Sequence, residues 1–223
     1  MTRSRAQNLI ERYFSWAADR FYDSVTVQRV FPLLGGDLNE GILEQGRRAV
    51  AVAGGQPILD MPVGTAYFTV RIAREHSGIV VGSDIAEGMV VRARDVARSE
   101  GVDNLPIVQA DAHRLPFRDG AFGAVLCANG LPVIPGLHAT VTELARVLAS
   151  GGVLFVAAIT LPLGPPGSPR SRERMPTAFR PKGDIAEALR RAGLEAKVTQ
   201  RRRLAALIEA NKPARTSRRQ VTP

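Results

Sequence analysis

The chain has 223 residues, a formal net charge of +9 and hydrophobic side chains at 45% of its positions. This length allows one well-buried core with appendages but hardly two domains, and no run reaches the ~18 consecutive apolar residues of a membrane span. A single cysteine, Cys127, excludes an internal disulfide, fits a reducing compartment and, within an apolar run, is expected to be a buried and inert thiol.

An amphipathic helix is predicted near the N-terminus, where residues 4–22 carry apolar side chains at helical spacing. Half of the chain's aromatic residues lie within the first 31 positions. Two interpretations stay open: the aromatic stripe packs onto the domain as part of its core, or it forms a lid over a bound ligand. We assign residues 1–36 to this N-terminal helical lid or cap segment.

Short apolar strands alternate with helices from residue 37 onward. Asp37 follows a Gly-Gly break and is predicted to cap a helix that runs to about Val52. The first predicted strand ends at Asp60, and further strands lie at 79–84, 105–111, 121–129 and 153–159, with helices to about 76, over 89–97 and over 138–149 between them. A last helix at 184–192 precedes strands 194–199 and 203–209, which have no room for a helix between them and should pair antiparallel.

This alternation predicts an α/β fold: a doubly wound, mostly parallel seven-stranded sheet with an antiparallel final strand. Asp60, Asp84 and Asp111 close the first three strands, so we expect them at one edge of the sheet, where such folds bind ligands. A single aspartate there is a turn former more often than a ligand, but three on successive strands favour a binding site. The small-residue turn at 61–66 suits a ligand with a carboxylate and with polar or cationic groups.

Five segments in order resemble class I S-adenosylmethionine-dependent methyltransferases, and among them the small-molecule group of ubiquinone and menaquinone biosynthesis. The segments are Leu-Asp-Met-Pro-Val-Gly-Thr-Ala at 59–66, Gly-Ser-Asp at 82–84, Gln-Ala-Asp-Ala-His-Arg-Leu-Pro-Phe at 109–117, Phe-Gly-Ala-Val at 122–125 and Glu-Leu-Ala-Arg-Val-Leu-Ala-Ser-Gly-Gly at 143–152. The resemblance covers about residues 20–210. It implies a Rossmann-like fold and an S-adenosylmethionine-binding domain at 37–210.

The resemblance implies a role for each strand-end carboxylate. Asp84 would accept hydrogen bonds from the ribose hydroxyls, and Asp60 from the methionine amino group, directly or through water. Asp111 would accept from the adenine amine, while Met89 packs near the adenine or, equally, within the helix core. The whole implied cofactor-binding set is Asp60, Met61, Pro62, Gly64, Asp84, Ile85, Met89, Asp111, Ala112, Ala128 and Asn129. No metal site is predicted.

Methyl transfer from a sulfonium depends on alignment more than on acid–base catalysis. If the acceptor must lose a proton, His113 and His138 are the candidates, and His138 is the one that could face the acceptor, although an ordinary surface histidine is the commoner case. No Asn/Asp-Pro-Pro-aromatic tetrad follows the fourth strand, which counts against methylation of nucleic-acid bases. We expect a small hydrophobic or amphipathic acceptor, contacted by the N-terminal helix, the loop 130–136 and the loop 161–182.

Two residues depart from the family pattern: Pro62 stands at the usual first glycine of the turn, and Ala66 at the last. They keep open a second interpretation, a catalytically degenerate S-adenosylmethionine-binding module that acts through partner binding. A nicotinamide-dependent oxidoreductase is the nearest enzymatic rival, but its G-x-G-x-x-G fingerprint is absent around 60–69.

Most of the net positive charge lies at the C-terminus, where residues 197–223 contain eight Lys or Arg and one acidic residue. The rest of the chain is nearly neutral, so we expect no nucleic-acid-binding face within the fold. The basic tail at 211–223 is expected to be a solvated end in contact, at most, with anionic surfaces; an RNA-associated methyltransferase is the alternative that would use it. No secretory signal is recognisable, which predicts a cytoplasmic enzyme, and the oligomeric state is not predicted.

Overall fold

The computed structural model describes residues 38–160, 182–201 and 205–214. The predicted N-terminal helix and its lid, the cap at Asp37, the loop 161–181 and the end of the basic tail lie outside these residues. They therefore remain predictions. Within the described ranges, every helix is too short or too polar to cross a bilayer.

Helices and strands alternate through the first part of the chain. The elements are α1 Leu38–Ala53, β1 Ile58–Asp60, α2 Thr69–Glu75, β2 Val80–Asp84, α3 Glu87–Ser99, β3 Ile107–Gln109, β4 Phe122–Ala128, α4 Leu137–Val147 and β5 Leu148–Ile159. The C-terminal elements are α5 Lys182–Arg191, β6 Glu195–Arg201 and β7 Ala205–Asn211. These elements confirm the predicted α/β class.

The seven strands form one sheet in the order β3-β2-β1-β4-β5-β7-β6. Neighbours from β3 to β5 pair in parallel, whereas β7 runs antiparallel to both β5 and β6. The chain starts in the middle of the sheet, moves out to one edge and then returns to build the other half. This reversal between β1 and β4 is the switch point at which ligands of doubly wound sheets bind.

Apolar side chains point alternately to the two faces of the sheet along each strand, and they form one core on each face. Leu59, Val125 and Leu154 belong to the core that α4 and α5 cover, whereas Ile58 and Phe155 belong to the core beneath α1, α2 and α3. Both faces are therefore dry, as a mostly parallel sheet requires. The open positions for a ligand lie at the ends of the strands.

Several predicted boundaries differ in the structure, among them those of β3, β5 and β7. β3 is shorter than predicted, so Asp111 lies beyond it in an isolated bridge with Arg114. β5 begins at Leu148, before the Gly-Gly turn, because Leu148 already pairs with Phe122. β7 continues to Asn211, which we had placed in the tail, since its pairing with both β5 and β6 extends that far.

An ion-pair network fixes the segment after β3 to α4. Arg146 donates to the carbonyl oxygens of Phe117 and Leu115, and it pairs with Asp119 and Glu143. Glu143 also accepts from the Leu115 amide at 2.7 Å. The Arg146 hydrogen bond is the main cause that lowers the pKa of Glu143, and Glu143 is the main cause that raises the pKa of Arg146. The network holds the segment beside the strand ends.

Candidate functional site

Asp60 ends β1 with a carboxyl group that is almost completely buried, at 6% exposure. Thr69, the first residue of α2, donates from Oγ1 to Asp60 Oδ2 at 2.6 Å. Within the described ranges, Asp60 Oδ1 has no hydrogen-bond partner. Burial raises the pKa of Asp60 to about 7; the Thr69 bond opposes this rise and the charge of Asp84 adds to it. Asp60 is thus ready to ionise near neutral pH if a donor or cation reaches Oδ1.

Asp84 ends β2 and is buried to the same extent. Its Oδ2 accepts from the Gly64 amide at 3.1 Å, and its Oδ1 accepts from the Ala86 amide at 3.0 Å. Burial raises the pKa of Asp84 to about 6, and the backbone amides oppose that rise. Each carboxylate oxygen can accept a second hydrogen bond, so Asp84 retains capacity for hydroxyl donors from the cavity.

The turn between β1 and α2 approaches this carboxylate closely. Gly64 has a φ of +54°, and a Cβ at this position would meet no atom within 4 Å. Residue 64 therefore combines a left-handed backbone, which favours glycine, with open space on its ligand side. The turn as a whole leaves room for a ligand next to Asp84.

The two departures from the family pattern are both accommodated. The Met61–Pro62 peptide bond is cis, and the Pro62 ring lies so close to Gly130 that a Cβ on Gly130 would overlap it. Ala66 is completely buried and has a φ of +60°, a conformation that an alanine adopts only under strain. The strain stays within the turn, because the Gly64 amide still reaches Asp84.

Asp111 lies beyond β3 and forms a local unit with His113. Asp111 Oδ1 accepts from the His113 backbone amide at 2.9 Å and lies 2.8 Å from His113 Nδ1. His113 Nε2 lies 2.7 Å from the carbonyl oxygen of Pro135. His113 thus bridges the third strand end and the loop 130–136.

Asn129 follows β4 with a φ of +57°, an unusual value for a residue other than glycine. Its backbone amide donates to Ala157 at 2.7 Å, and its Oδ1 accepts from the Ile159 amide at 3.1 Å. Asn129 therefore fixes the exit of β4 onto β5, and its predicted contact with the cofactor stays a prediction.

One cavity at the ends of β1, β2 and β4 collects the predicted set. It is lined by all eleven residues that the resemblance implies: Asp60, Met61, Pro62, Gly64, Asp84, Ile85, Met89, Asp111, Ala112, Ala128 and Asn129. Met89 lines the cavity while only 2% exposed, and its contact with the adenine stays a prediction. His113 also lines the cavity, whereas His138, on α4, is not among the lining residues.

Several lining residues were not predicted. Tyr67 and Phe68, between the turn and α2, form an edge-to-face pair with ring centroids 5.0 Å apart. Gln45 lines the cavity from α1 and donates through Nε2 to the carbonyl oxygens of Val156 and Ile208, both at 3.3 Å. The sequence held one usable signal, a glutamine on the apolar face of a predicted helix.

The donor and acceptor groups fit S-adenosylmethionine. Asp84 offers buried acceptor capacity of the kind that a ribose requires, and the missing Cβ of Gly64 leaves space beside it. The unpaired Oδ1 of Asp60 is an acceptor for an ammonium or a bound water. The part of the chain that the structure describes contains no group of three or more His, Cys, Asp or Glu side chains suited to a metal.

A family model described as a methyltransferase domain matches residues 58–152, from β1 to the Gly-Gly turn of β5. This stretch of the chain is therefore similar to a methyltransferase domain. A demethylmenaquinone methyltransferase from Staphylococcus saprophyticus is 34% identical to this chain over 116 residues, which are 51% of this chain and 49% of that protein. The chain thus spans about half the length of the curated relatives it matches. The predicted resemblance to this family is confirmed.

Solved structures confirm the predicted fold. A geranyl diphosphate C-methyltransferase from Streptomyces coelicolor A3(2) superposes with a TM-score of 0.70 at 16% identity, over 95% of this chain and 100% of that chain. The cyclase SpnF superposes with a TM-score of 0.66 at 20% identity, over 78% of this chain and 81% of that chain. The second example shows that the methyltransferase fold also occurs in a protein named for a different reaction, so the reaction must be argued from the site.

Proposed function

We propose that this protein transfers a methyl group from S-adenosylmethionine to a small hydrophobic or amphipathic acceptor. The observation that carries the proposal is the single cavity into which the eleven predicted cofactor residues converge, with the buried Asp84 carboxylate held by the Gly64 and Ala86 amides. The match of residues 58–152 to the methyltransferase domain family supports the same reaction.

Residues at different strand ends bind different parts of the cofactor. Asp84 binds the ribose hydroxyls through the acceptor capacity that the backbone amides leave open. Asp60 binds the amino group through Oδ1, and Asp111 together with Ala112 binds the adenine. S-adenosylmethionine supplies a methyl group on a positively charged sulfur, so the protein's own task is to hold the acceptor in line with that bond and to exclude water.

The acceptor side of the cavity is mainly apolar. Phe68, Val133, Ile134 and Phe155 line it, and no ionisable side chain occurs in the loop 130–136. Such a lining favours an apolar ring or chain over a polyanion. Since several relatives are named demethylmenaquinone methyltransferases, a reduced naphthoquinone without its ring methyl group is the first acceptor to test.

The test is a transfer assay with the full chain, S-adenosylmethionine labelled in its methyl group, and a panel of small phenols and reduced naphthoquinones. We expect label in the extracted acceptor and an equal amount of S-adenosylhomocysteine. Asp84→Asn should abolish most of the transfer. Asp95→Asn, a change of the same type on the exposed face of α3, should leave it at the wild-type level.

Binding of the cofactor without transfer to any member of the panel would contradict the proposed acceptor class. Transfer to RNA in preference to the panel would contradict it as well and would favour a role for the basic tail. Absence of both binding and transfer would overturn the methyltransferase proposal itself.

A further inference from the structure

The His113 ring lies between two oxygen atoms that can each accept a hydrogen bond from one of its nitrogens. Its Nδ1 is 2.8 Å from the carboxylate oxygen Oδ1 of Asp111, and its Nε2 is 2.7 Å from the carbonyl oxygen of Pro135. The side chain is 22% exposed, so the contacts are largely shielded from water. Both ring nitrogens are therefore used at short distance.

The protonation state of the imidazole decides whether both contacts are favourable. A neutral imidazole carries one N–H and one lone pair, so it can donate to only one of the two oxygens. A protonated imidazole carries two N–H groups and donates to both. The geometry around His113 thus favours the cation, with the Asp111 carboxylate as its counter-ion.

The loop 130–136 is held at both ends by segments of the cavity. At its start, Gly130 packs against Pro62 in the turn after β1. At its end, Gly136 has a φ of +68° and approaches the His113 ring so closely that a Cβ would lie 3.0 Å from Nε2. Between these anchors, Val133, Ile134 and Pro135 line the cavity.

We propose that protonated His113 is a positioning residue that joins the Asp111 end of the cavity to the loop 130–136 and so fixes the wall on which the acceptor lies. The inference rests on the proposed function and deepens it, because it couples cofactor binding to the shape of the acceptor side. Loss of the proton, or of the ring, releases one of the two contacts. The loop then loses its anchor at Pro135, and Asp111 loses its counter-ion.

Other titratable or charged groups lie on the neighbouring elements. They are Asp84 at the end of β2, Arg114 next in the chain, and His138 and Glu143 on α4. Arg146 keeps Glu143 ionised near neutral pH. Asp60 and Asp84, whose pKa values are raised to about 7 and about 6, lose their charge as the pH falls and weaken cofactor binding on the acid side. Loss of the His113 proton acts in the opposite direction, because it follows a rise in pH.

The experiment measures S-adenosylhomocysteine affinity by calorimetry from pH 5.5 to pH 9 for wild type, His113→Gln and His138→Gln. In the wild type, affinity falls on both sides of an optimum. In His113→Gln, affinity at the optimum is weaker on the order of tenfold, because hydrogen bonds to charged groups are lost. In this variant the affinity still falls towards acid pH but no longer falls towards alkaline pH. His138→Gln, outside the cavity-lining set, keeps the complete wild-type profile.

Hydrogen exchange of the ligand-free protein provides a readout that does not need the cofactor. Peptides that cover the loop 130–136 should exchange faster in His113→Gln than in wild type, with unchanged protection in β4 and β5. The inference is overturned if the loop is equally protected in both proteins, or if the affinity of His113→Gln still falls towards alkaline pH. Binding of S-adenosylhomocysteine by the wild type leaves the proposed function intact in either case. A wild type that binds no S-adenosylhomocysteine contradicts the proposed function, and the exchange result then decides the anchoring role alone.

Discussion

The two ends of the cavity carry the same residue type in opposite environments. At the inner end, Asp60 and Asp84 are buried at 6% exposure, and within the described residues neither is paired with a cation. At the outer end, Asp111 keeps a quarter of its side chain exposed and lies against His113. Burial raises the pKa of the inner pair, whereas the outer carboxylate has the His113 ring within hydrogen-bond distance.

The difference indicates how the site divides its tasks. Buried carboxylates without a cation destabilise the folded protein, and they are tolerated where a ligand later supplies the missing donors. The outer carboxylate already has hydrogen-bond partners within the protein, so its position depends on the segments around it. We therefore propose that the inner end provides binding strength and that the outer end provides geometry.

The largest effect is expected from Asp60→Asn, which tests the inner end. Because the folded-state pKa of Asp60 is raised from 3.8 to about 7, its contribution to stability is complete below pH ~4 and is lost as the pH rises through 7. The unfolding free energy of Asp60→Asn relative to wild type should therefore increase by roughly 2–3 kcal/mol as the pH rises from 5 to 8. Urea unfolding at pH 5, 6.5 and 8 measures this change.

The control is Asp95→Asn, whose side chain is 55% exposed on α3. Its stability relative to wild type should stay within ~0.5 kcal/mol at every pH, as is usual for surface changes. An Asp60→Asn difference that does not vary with pH would remove the contrast between the two ends of the cavity.

A smaller loss is expected from Arg146→Met, which tests the support of the outer end. The change removes the donors to Leu115 and Phe117 and leaves the largely buried Glu143 carboxylate unpaired. We expect a loss of about 1–2 kcal/mol in unfolding free energy. Arg98→Met, at 79% exposure, is the matched control and should cost less than ~0.5 kcal/mol. Equal losses in the two variants would show that the network is not a support.

The smallest effect is expected from Ala66→Gly in the turn of the inner end. Glycine adopts the φ of +60° without strain, so the variant should gain ~0.5–1 kcal/mol in unfolding free energy. The same substitution in the middle of α3, Ala93→Gly, should instead lose about 1 kcal/mol. Thermal unfolding of both variants gives the two signs, and a loss in Ala66→Gly would show that the alanine methyl packs better than the strain costs.

The fold was largely predictable because apolar strand runs alternate with helices in this chain. The parallel pairing of the strands, the antiparallel final strand and the position of the three aspartates at one edge of the sheet all follow from that alternation. The ends of β5 and β7 were not predictable, because they depend on pairing with distant strands. Local pattern indicates where a strand lies, whereas its length is set by its neighbours.

The site residues were predictable where a local sequence motif marks them. Residues that join distant segments were not predictable. Asp60, Gly64 and Asp84 are visible in the sequence because strand ends and a small-residue turn are local signals. The bond from Thr69 to Asp60 and the bridge from His113 to Pro135 join segments 9 and 22 residues apart, and no local pattern marks them. Tyr67 and Phe68 were missed because aromatic residues before a helix ordinarily belong to the core.

The most direct test of the account is calorimetric titration of S-adenosylmethionine and S-adenosylhomocysteine into wild type and Asp84→Asn at pH 7.5. We predict that the wild type binds both ligands and that the affinity of the variant for each is lower by about tenfold or more. The reason is that the neutral amide accepts weaker hydrogen bonds than the Asp84 carboxylate at the centre of the cavity. Equal affinities in the two proteins, or no binding by the wild type, would contradict the claim that this cavity is a cofactor site built around Asp84.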